Sequence, residues 1–469
     1  MSALAERIRG SRTARSAVTG SGVSDGKATL DDAALLTAAE DAAADVKRVA
    51  GLVSPMVAVV LPLSTDAVVM LLAAILGEYS VCFVDPSGPS ERRAQILTQA
   101  RPDIVVDTNG IRRPAADQAG APVSARDRSE PGYVAMSSGS LGGEPKAVLS
   151  PWRSIDSFAP SGAAALDLDA DSIWAELSHP AYDMAMTNLL VAVASGAALR
   201  ISAALGDRVR PLRFMERVEA THLRVAPRFI DLAVAERREP PASLRVWGSG
   251  GDRLYVSHVE RVFSLGVPSV VNTYGTSESM GFASSARLER GMDVHALNGT
   301  VTIGTGGVGP WRTVVAAVGD HPMLAIQTPH LPAGYLFGTG GEYPRWHTPD
   351  TLLTGDAGAQ VGGDLFCLGR SGRRVKRHGR FVDLDEVDAV LRSHRDVASY
   401  TVVTTEGELL CLVETGDDEA RALHRGLPAV LRPEILPDRL VPVRQIPRLG
   451  NGKIDQARAG ALAMGEEAS

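Results

Sequence analysis

The sequence predicts an α/β protein with a large N-terminal domain of α/β subdomains plus a β-rich part, and a small α+β C-terminal domain. Three observations carry this reading. Short β-branched runs alternate with helically spaced segments over roughly the first 300 residues, which is how a largely parallel sheet is written. The stretch 300–368 is richer in Gly, Val and Thr and breaks into short alternating runs that read as β structure. After "LGRSGRRVKRHG" (368–379) a self-contained helix-and-strand pattern fills the remaining hundred or so residues. A chain of 469 residues is also too long for one core. The expected division is 1–369 for the large domain and 370–469 for the small one, with the joint near Arg370–Gly372.

Taken in order, residues 1–27 are rich in Ser, Gly, Arg and Ala and are expected to be poorly ordered at the start. "TLDDAALLTAAEDAAADVKRVAG" is Ala-rich with helical spacing. "MVAVVLP" (56–62) is a continuous β-branched run, read as a buried strand. "AVVMLLAAILG" is a helix ending at Gly77, "VCFVD" a strand, "SERRAQILTQA" a helix and "DIVVD" a strand. "GYVAM" and "KAVLS" are strands flanking a Gly-Ser loop. In the C-terminal part "LDEVDAVLRSH" and "DDEARALHRGL" read as helices, and "SYTVVTT" and "ELLCLVE" as strands.

Composition removes several function classes. Lys and Arg number 48 and Asp and Glu 55, a formal net charge of −7, and no basic run is interleaved with aromatics. The chain thus has no general electrostatic reason to bind nucleic acid. Cys82, Cys367 and Cys411 read as small core residues in a reducing compartment, and no Cys/His spacing resembles a zinc site. The N-terminus lacks a secretory apolar region, and "AVVMLLAAIL" is too short to cross a bilayer. A cytoplasmic protein without membrane partners is expected.

"MSSGSLGGEPKAV" (136–148) is the first stretch with chemistry in it. Glycines let successive backbone N–H groups face one concavity, Ser137, Ser138 and Ser140 add hydroxyls, and Lys146 adds charge. Together these suit a polyphosphate. A Walker A loop needs Gly-Lys-Ser/Thr opening a helix, whereas Lys146 follows Pro145 and precedes a strand. A plain Gly-Ser surface loop is the other reading of the segment taken alone.

"SSGSLGGEPKA" resembles the Ser/Thr-Gly-rich phosphate loop of the adenylate-forming superfamily, which comprises acyl- and aryl-CoA synthetases, nonribosomal peptide synthetase adenylation domains and luciferases. It departs from that loop at Leu141, at an apparent insertion around Gly142–Gly143, and at Ala147. Further resemblances follow in order. "FVDPSGPSERRAQIL" (83–97) is similar to an early D-P-x-x-P-x-E-R signature, "NTYGTSES" (272–279) to N-x-Y-G-x-T-E, and "LLTGDAG" (352–358) to the T-G-D element. "GRSGRRVKRHGRFVDLDEVD" (369–388) is similar to the hinge region, and "PRLGNGKID" (447–455) to the C-terminal N-G-K element. The matches span nearly the whole chain.

The resemblance implies roles. Ser137, Ser138, Gly139, Ser140, Gly142, Gly143 and Lys146 would hold the β- and γ-phosphates of ATP. Tyr274 would lie against the adenine, with Gly250 and Gly251 allowing close approach; Asp356 would take the ribose hydroxyls, with Arg370 nearby. Ser277 would bond the α-phosphate and Glu278 would ligate Mg²⁺. Lys453 would be the catalytic lysine bridging the substrate carboxylate and the α-phosphate; taken alone it reads as a solvated surface lysine. The small domain would rotate between half-reactions about a hinge whose usual charged residue is Gly372 here.

In "ELSHPAYDMAMTNLLVAVASGAAL", Tyr182-Asp183 resembles the F-D-x-S motif that opens the acyl pocket. Asp183 would bind a substrate ammonium, which needs an opposing carboxylate once desolvated; as a plain structural residue it would be a helix N-cap. Carried over by spacing, Met184, Thr187, Arg224, Gly248, Gly250, Thr273 and Gly281 would line the pocket, and its small residues would leave room for a bulky or aromatic substrate. Arg224 would meet a second carboxylate or a polar ring substituent, or else be an exposed strand-end arginine. His179 is expected to pack or hydrogen-bond, since the chemistry needs no base there.

The implied activity is ATP-dependent adenylation of a carboxylic acid, an amino acid or amino-substituted aromatic acid, with transfer to a carrier-protein thiol. An aryl- or acyl-CoA ligase is an alternative, the basic cluster Arg373, Arg374, Lys376, Arg377 and Arg380 attracting CoA. Capture of an adenylated acid, a non-carboxylate oxyacid included, by an amine to form an amide or N–N bond is another, and a nucleotide-binding pseudoenzyme is the last.

Overall fold

The computed structural model describes residues 3–13, 22–114, 130–137, 146–297, 299–318, 321–329, 334–336, 346–348, 350–370, 374–377, 380–384, 387–388, 391, 397–403, 408–429, 431, 436–449 and 454–465. The alternation of strands and helices produces two large sheets, one mainly parallel and one with three parallel and three antiparallel pairings. One runs Ser284–Glu289, Ser269–Tyr274, Val246–Gly250, His222–Val225, Ile173–Glu176, Ala198–Ile201, Val23–Ser24, Thr29–Leu30. Its six inner strands are parallel and its two edge pairings antiparallel. The other runs Gly334–Leu336, Lys146–Pro151, Gly132–Ser137, Ser80–Phe83, Met56–Val60, Ile104–Asp107, Gly110–Arg112.

Helices buried on all sides lie between these sheets. In Asp183–Ser195 every residue from Met184 to Ala194 is buried, and Thr65–Gly77 is nearly as fully covered. A helix apolar all round must be enclosed. These helices, Trp152–Ala165 and strands of both sheets share one core, and the indole of Trp152 donates to the Tyr79 carbonyl at 3.1 Å. Cys82 and Cys411 are buried and Cys367 partly so; burial pushes the Cys82 thiol up to about 12.

The start of the chain differs from expectation. Residues Ala3–Thr13 form a helix, and Leu4, Ala5 and Ile8 are fully buried in the main core. The Ser, Gly and Arg content hides an apolar edge at helical spacing. Val23–Ser24 then joins the large sheet beside Leu199 and Arg200.

Residues 300–370 are β-rich as expected, with an antiparallel sheet that includes Trp311–Val318, His321–Gln327, Thr351–Val361 and Asp364–Arg370. Beyond it, Arg374–Arg377 pairs with Arg380–Asp383. A three-stranded sheet of Ser399–Val403, Leu409–Glu414 and Arg439–Val443 follows, with helices Asp417–Gly426 and Gln456–Met464. Its apolar residues form two clusters drawn only from residues 384–463. Glu414 meets Arg228 of the large sheet's surround at 3.6 Å. Among the described residues no helix is long and apolar enough to cross a membrane.

Candidate active site

The site lies where parallel strands end and the chain turns off the sheet, the usual place for a ligand crevice in an α/β fold. Strand Ser269–Tyr274 leads through Gly275 and Thr276 into a single 3₁₀ turn, Ser277–Ser279, in which Glu278 is buried. Tyr274 is buried and donates its hydroxyl to Oδ2 of Asp356 at 2.7 Å. Burial, reinforced by the Asp356 charge, holds that phenol well above its ordinary range, so it stays a donor. Asp356 and Arg370 are direct partners across adjacent antiparallel strands.

Asp183 is the first residue of its helix, one place beyond the cap position, which Tyr182 occupies without a side-chain bond. Its carboxylate is half-buried: Oδ2 accepts the Ser277 hydroxyl, and Oδ1 faces the Tyr133 hydroxyl at 3.5 Å. The N-cap reading is therefore set aside. Thr187, one turn on, donates to the Asp183 carbonyl at 2.7 Å and lies against the Met280 carbonyl. The helix start is thereby tied to the turn after Glu278.

Arg224 is fully buried, not an exposed strand end. Its Nε donates to Thr273 Oγ1 at 2.8 Å, Nη1 to Asn188 Oδ1 at 3.1 Å and Nη2 to the Gly281 carbonyl at 2.7 Å. The guanidinium lies 4.6 Å from the centre of the Phe282 ring. Burial pulls it down to about 9, against the attraction of Glu176, so it keeps its charge at neutral pH. Of the glycines expected to leave room for substrate, Gly248 instead makes room for this side chain and Gly250 for Thr273. A Cβ on Gly248 would stand 2.8 Å from Arg224 Cβ, and one on Gly250 2.2 Å from Thr273 Oγ1. The expectation of empty space at those two positions is corrected accordingly.

Two residues of the site escaped the motif reading. Asn188 Nδ2 donates to Glu176 Oε2 at 2.7 Å and to the Arg224 carbonyl at 2.9 Å. Glu176 also accepts from the Ser178 and Leu177 amides at 2.8 and 3.1 Å and from the Trp174 indole at 3.3 Å. Burial pushes its carboxyl up to about 7, with those donors opposing. The signal was present: Asn188 is a lone amide inside an enclosed apolar helix, and a buried amide needs partners.

His179 packs as expected. Nε2 bonds the Leu61 carbonyl at 2.7 Å, Nδ1 accepts from the Ala181 amide at 3.0 Å, and burial lowers its basicity. Met184 and Thr273 are buried in the same region, and Gly251 and Gly281 adopt positive φ of 76° and 69°. Ser138, Gly139, Ser140, Gly142, Gly143, Gly372 and Lys453 lie outside the described residues, as do the side chains of Ser137, Lys146 and Arg370. Among the described residues no group of three or more His, Cys, Asp or Glu is gathered to hold a metal. A single buried carboxylate at Glu278 still fits Mg²⁺, which is typically held by one or two carboxylates together with substrate phosphates and water.

Comparison with known proteins agrees with this architecture. The chain is 25% identical over 450 residues to a dimodular nonribosomal peptide synthase of Bacillus subtilis (strain 168), covering 85% of this chain and 18% of that one. It spans less than a third of the length of the curated relatives it matches. Its fold superposes on Klebsiella oxytoca NpsA in complex with 3-hydroxyanthranilyl-AMSN with a TM-score of 0.81, 18% identity, and coverage of 99% of this chain and 100% of that one. It also superposes on the anthranilate CoA ligase AuaEII in complex with anthranoyl-AMP, with a TM-score of 0.81, 14% identity, and coverage of 98% and 97%. The family model described as AMP-binding enzyme matches residues 33–312, more than half of the sequence, and the chain belongs to that family.

Proposed function

We propose that the protein converts a carboxylic acid and ATP into an acyl adenylate and pyrophosphate, and then passes the acyl group to the thiol of a carrier protein. The acid is an amino acid or an amino-substituted aromatic acid. In the first step a carboxylate oxygen attacks the α-phosphorus and the bond to the leaving pyrophosphate breaks. In the second the thiol displaces AMP, giving a thioester. The observation that carries the reading is the hydrogen bond from Ser277 to Asp183. It supports a site in which an ammonium-binding carboxylate adjoins the hydroxyl that the motif match assigns to the α-phosphate, so the two substrates are bound side by side. Proximity of this kind supplies much of the rate in a bimolecular step.

The remaining groups fit. Tyr274 and Asp356 form one donor–acceptor pair, suited to the ribose and base. Glu278 would hold Mg²⁺, whose charge offsets that of the phosphates. Lys453 and the 137–146 segment are assigned to the developing phosphate charge by motif alone.

The test is exchange of labelled pyrophosphate into ATP with Mg²⁺, against a panel of amino, aryl and fatty acids. Exchange with amino or amino-aryl acids alone is the expected result. Exchange with fatty acids only, or none in protein that binds ATP, overturns it. The likeness to a CoA ligase favours a second acceptor; single-turnover release of AMP with CoA and no carrier protein would select it.

A further inference from the structure

Five charged side chains run in a line from the helices beside the eight-stranded sheet to the C-terminal part of the chain. Arg261 Nη1 bonds Asp231 Oδ1 at 2.7 Å, and Arg228 Nη1 stands 3.6 Å from both Asp231 Oδ2 and Glu414 Oε2. The other oxygen of Glu414 accepts the Ile446 amide at 3.0 Å and stands 3.9 Å from Arg448 Nη2. The five side chains are 11–21% exposed, so solvent and salt screen them less than an ordinary surface pair.

Arg228 opens the helix Arg228–Ala235, which follows strand His222–Val225 at the edge where the candidate site is built, and Asp231 anchors it from within that helix. Glu414 ends the strand Leu409–Glu414. Arg448 bridges Ile454 in antiparallel pairing, and the Asp455 amide donates to the Pro447 carbonyl at 2.9 Å. The two flanks of the N-G-K element that carries Lys453 are thus fixed to each other, and Glu414 holds the flank that leads in. Among the described residues the apolar clusters of 384–463 take in nothing from the two large sheets. Contacts such as the Arg228–Glu414 pair, rather than a shared core, therefore set the direction of that unit. Attraction between two charges falls with distance, so an ion pair made in one orientation of the two bodies is lost on rotation.

We propose that Arg228 and Glu414 are positioning residues, whose ion pair fixes the C-terminal unit in the orientation that adenylation uses and holds the segment entering the N-G-K element against the sheet edge of the site. This rests on the adenylation reading and on the motif match at Lys453, and it assigns the contact that sets the approach of that lysine. The pair is made for the first half-reaction and broken for the second.

Pyrophosphate exchange tests it, with the acid that gives the fastest wild-type exchange, in Arg228→Met, Glu414→Gln, the double variant and Arg228→Lys. Each of the first two should lower the maximal exchange rate about fivefold, with the KM of ATP and of the acid unchanged. The double variant should be no slower than the slower single one, because both substitutions remove the same pair. Arg228→Lys, which keeps the charge, should retain most of the rate. If Glu414→Gln does not fold, Arg228→Met and Arg228→Lys decide alone. An unchanged rate in Arg228→Met, a raised KM for the acid, additive losses in the double variant, or an equal loss in Arg228→Lys overturns the positioning role while leaving adenylation intact. Silence with every acid, in wild-type protein that binds ATP, overturns adenylation and the positioning role with it.

Discussion

Ser277 donates its hydroxyl to the carboxylate of Asp183, a residue 94 positions earlier in the chain. The bond joins the turn that follows one parallel strand to the first residue of a buried helix. Both side chains come from short motifs, and only the sheet brings the two motifs together.

That contact gives the first prediction. If Asp183 receives a substrate ammonium, Asp183→Ala leaves a desolvated cation unpaired, at a cost of about 3–5 kcal/mol. Amino-acid-dependent exchange should fall at least about 10²-fold in kcat/KM. Acids without an amine, such as benzoate, should lose far less. Equal losses for both classes would show that Asp183 serves the fold alone.

The Tyr274–Asp356 pair gives the second. Tyr274→Phe removes a 2.7 Å donor from a buried carboxylate. Loss of a hydrogen bond to a charged group costs about 1.5–3 kcal/mol. The midpoint of urea unfolding should drop, and the KM of ATP should rise several-fold with the KM of the acid unchanged. A variant with wild-type ATP kinetics would separate the pair from nucleotide binding.

The third concerns Gly250. A methyl group there would stand 2.2 Å from Thr273 Oγ1 and 3.5 Å from Arg224 Nε. Gly250→Ala must displace Thr273 and with it one of the bonds holding Arg224. Overpacking of this kind costs about 1–3 kcal/mol. The expected result is lower stability together with a raised KM for the acid; unchanged acid kinetics would mean that Thr273 shifts without consequence for the pocket.

The fourth concerns the start of the chain. Ile8 is fully buried against the main core, and Ile8→Ala should destabilise by about 2–5 kcal/mol. A loss below about 0.5 kcal/mol, the range of surface substitutions, would mean that the helix Ala3–Thr13 does not dock in solution.

The strands Met56–Val60, Ser80–Phe83 and Ile104–Asp107 were legible because they are short apolar runs rich in Val and Ile, and the helices between them have clear ends; the strands of the eight-stranded sheet, such as Val246–Gly250, follow the same alternation without such runs. The helix Ala3–Thr13 was not legible, because Leu4, Ala5 and Ile8 are few among Arg, Ser and Gly. The same contrast holds at the site. Asp183, Thr273, Tyr274, Ser277 and Asp356 sit in local patterns that can be matched along the chain. Glu176 and Asn188 do not: their bonds span 12 and 36 residues, and the lone amide in an apolar helix signals that partners exist without saying which residues they are. The reading of Gly248 and Gly250 as open space failed for a related reason. A glycine states that a side chain is missing there, not what fills the gap, and the fillers, Arg224 at Gly248 and Thr273 at Gly250, are each a strand away.

The last prediction follows from the burial of Glu176. Its carboxyl is raised from 4.5 to about 7, chiefly by desolvation. Between those values the folded protein keeps a proton that the unfolded chain has lost. Stability from this group is therefore complete below about pH 4.5 and falls as pH rises, levelling off above pH 7. At about 1.4 kcal/mol per unit the full change is roughly 3 kcal/mol. Glu176→Gln removes the titration, so the stability difference between wild type and variant, measured by urea unfolding from pH 4.5 to 8, should shift toward the variant up to pH 7 and then hold constant. His222, lowered to about 4 by burial, titrates in both proteins and cancels in the difference. Arg224 is the charged group facing Glu176 across Asn188, and it keeps its proton throughout this range. A difference independent of pH would mean that Glu176 ionises in the folded protein at its ordinary value, and that its burial does not hold the proton.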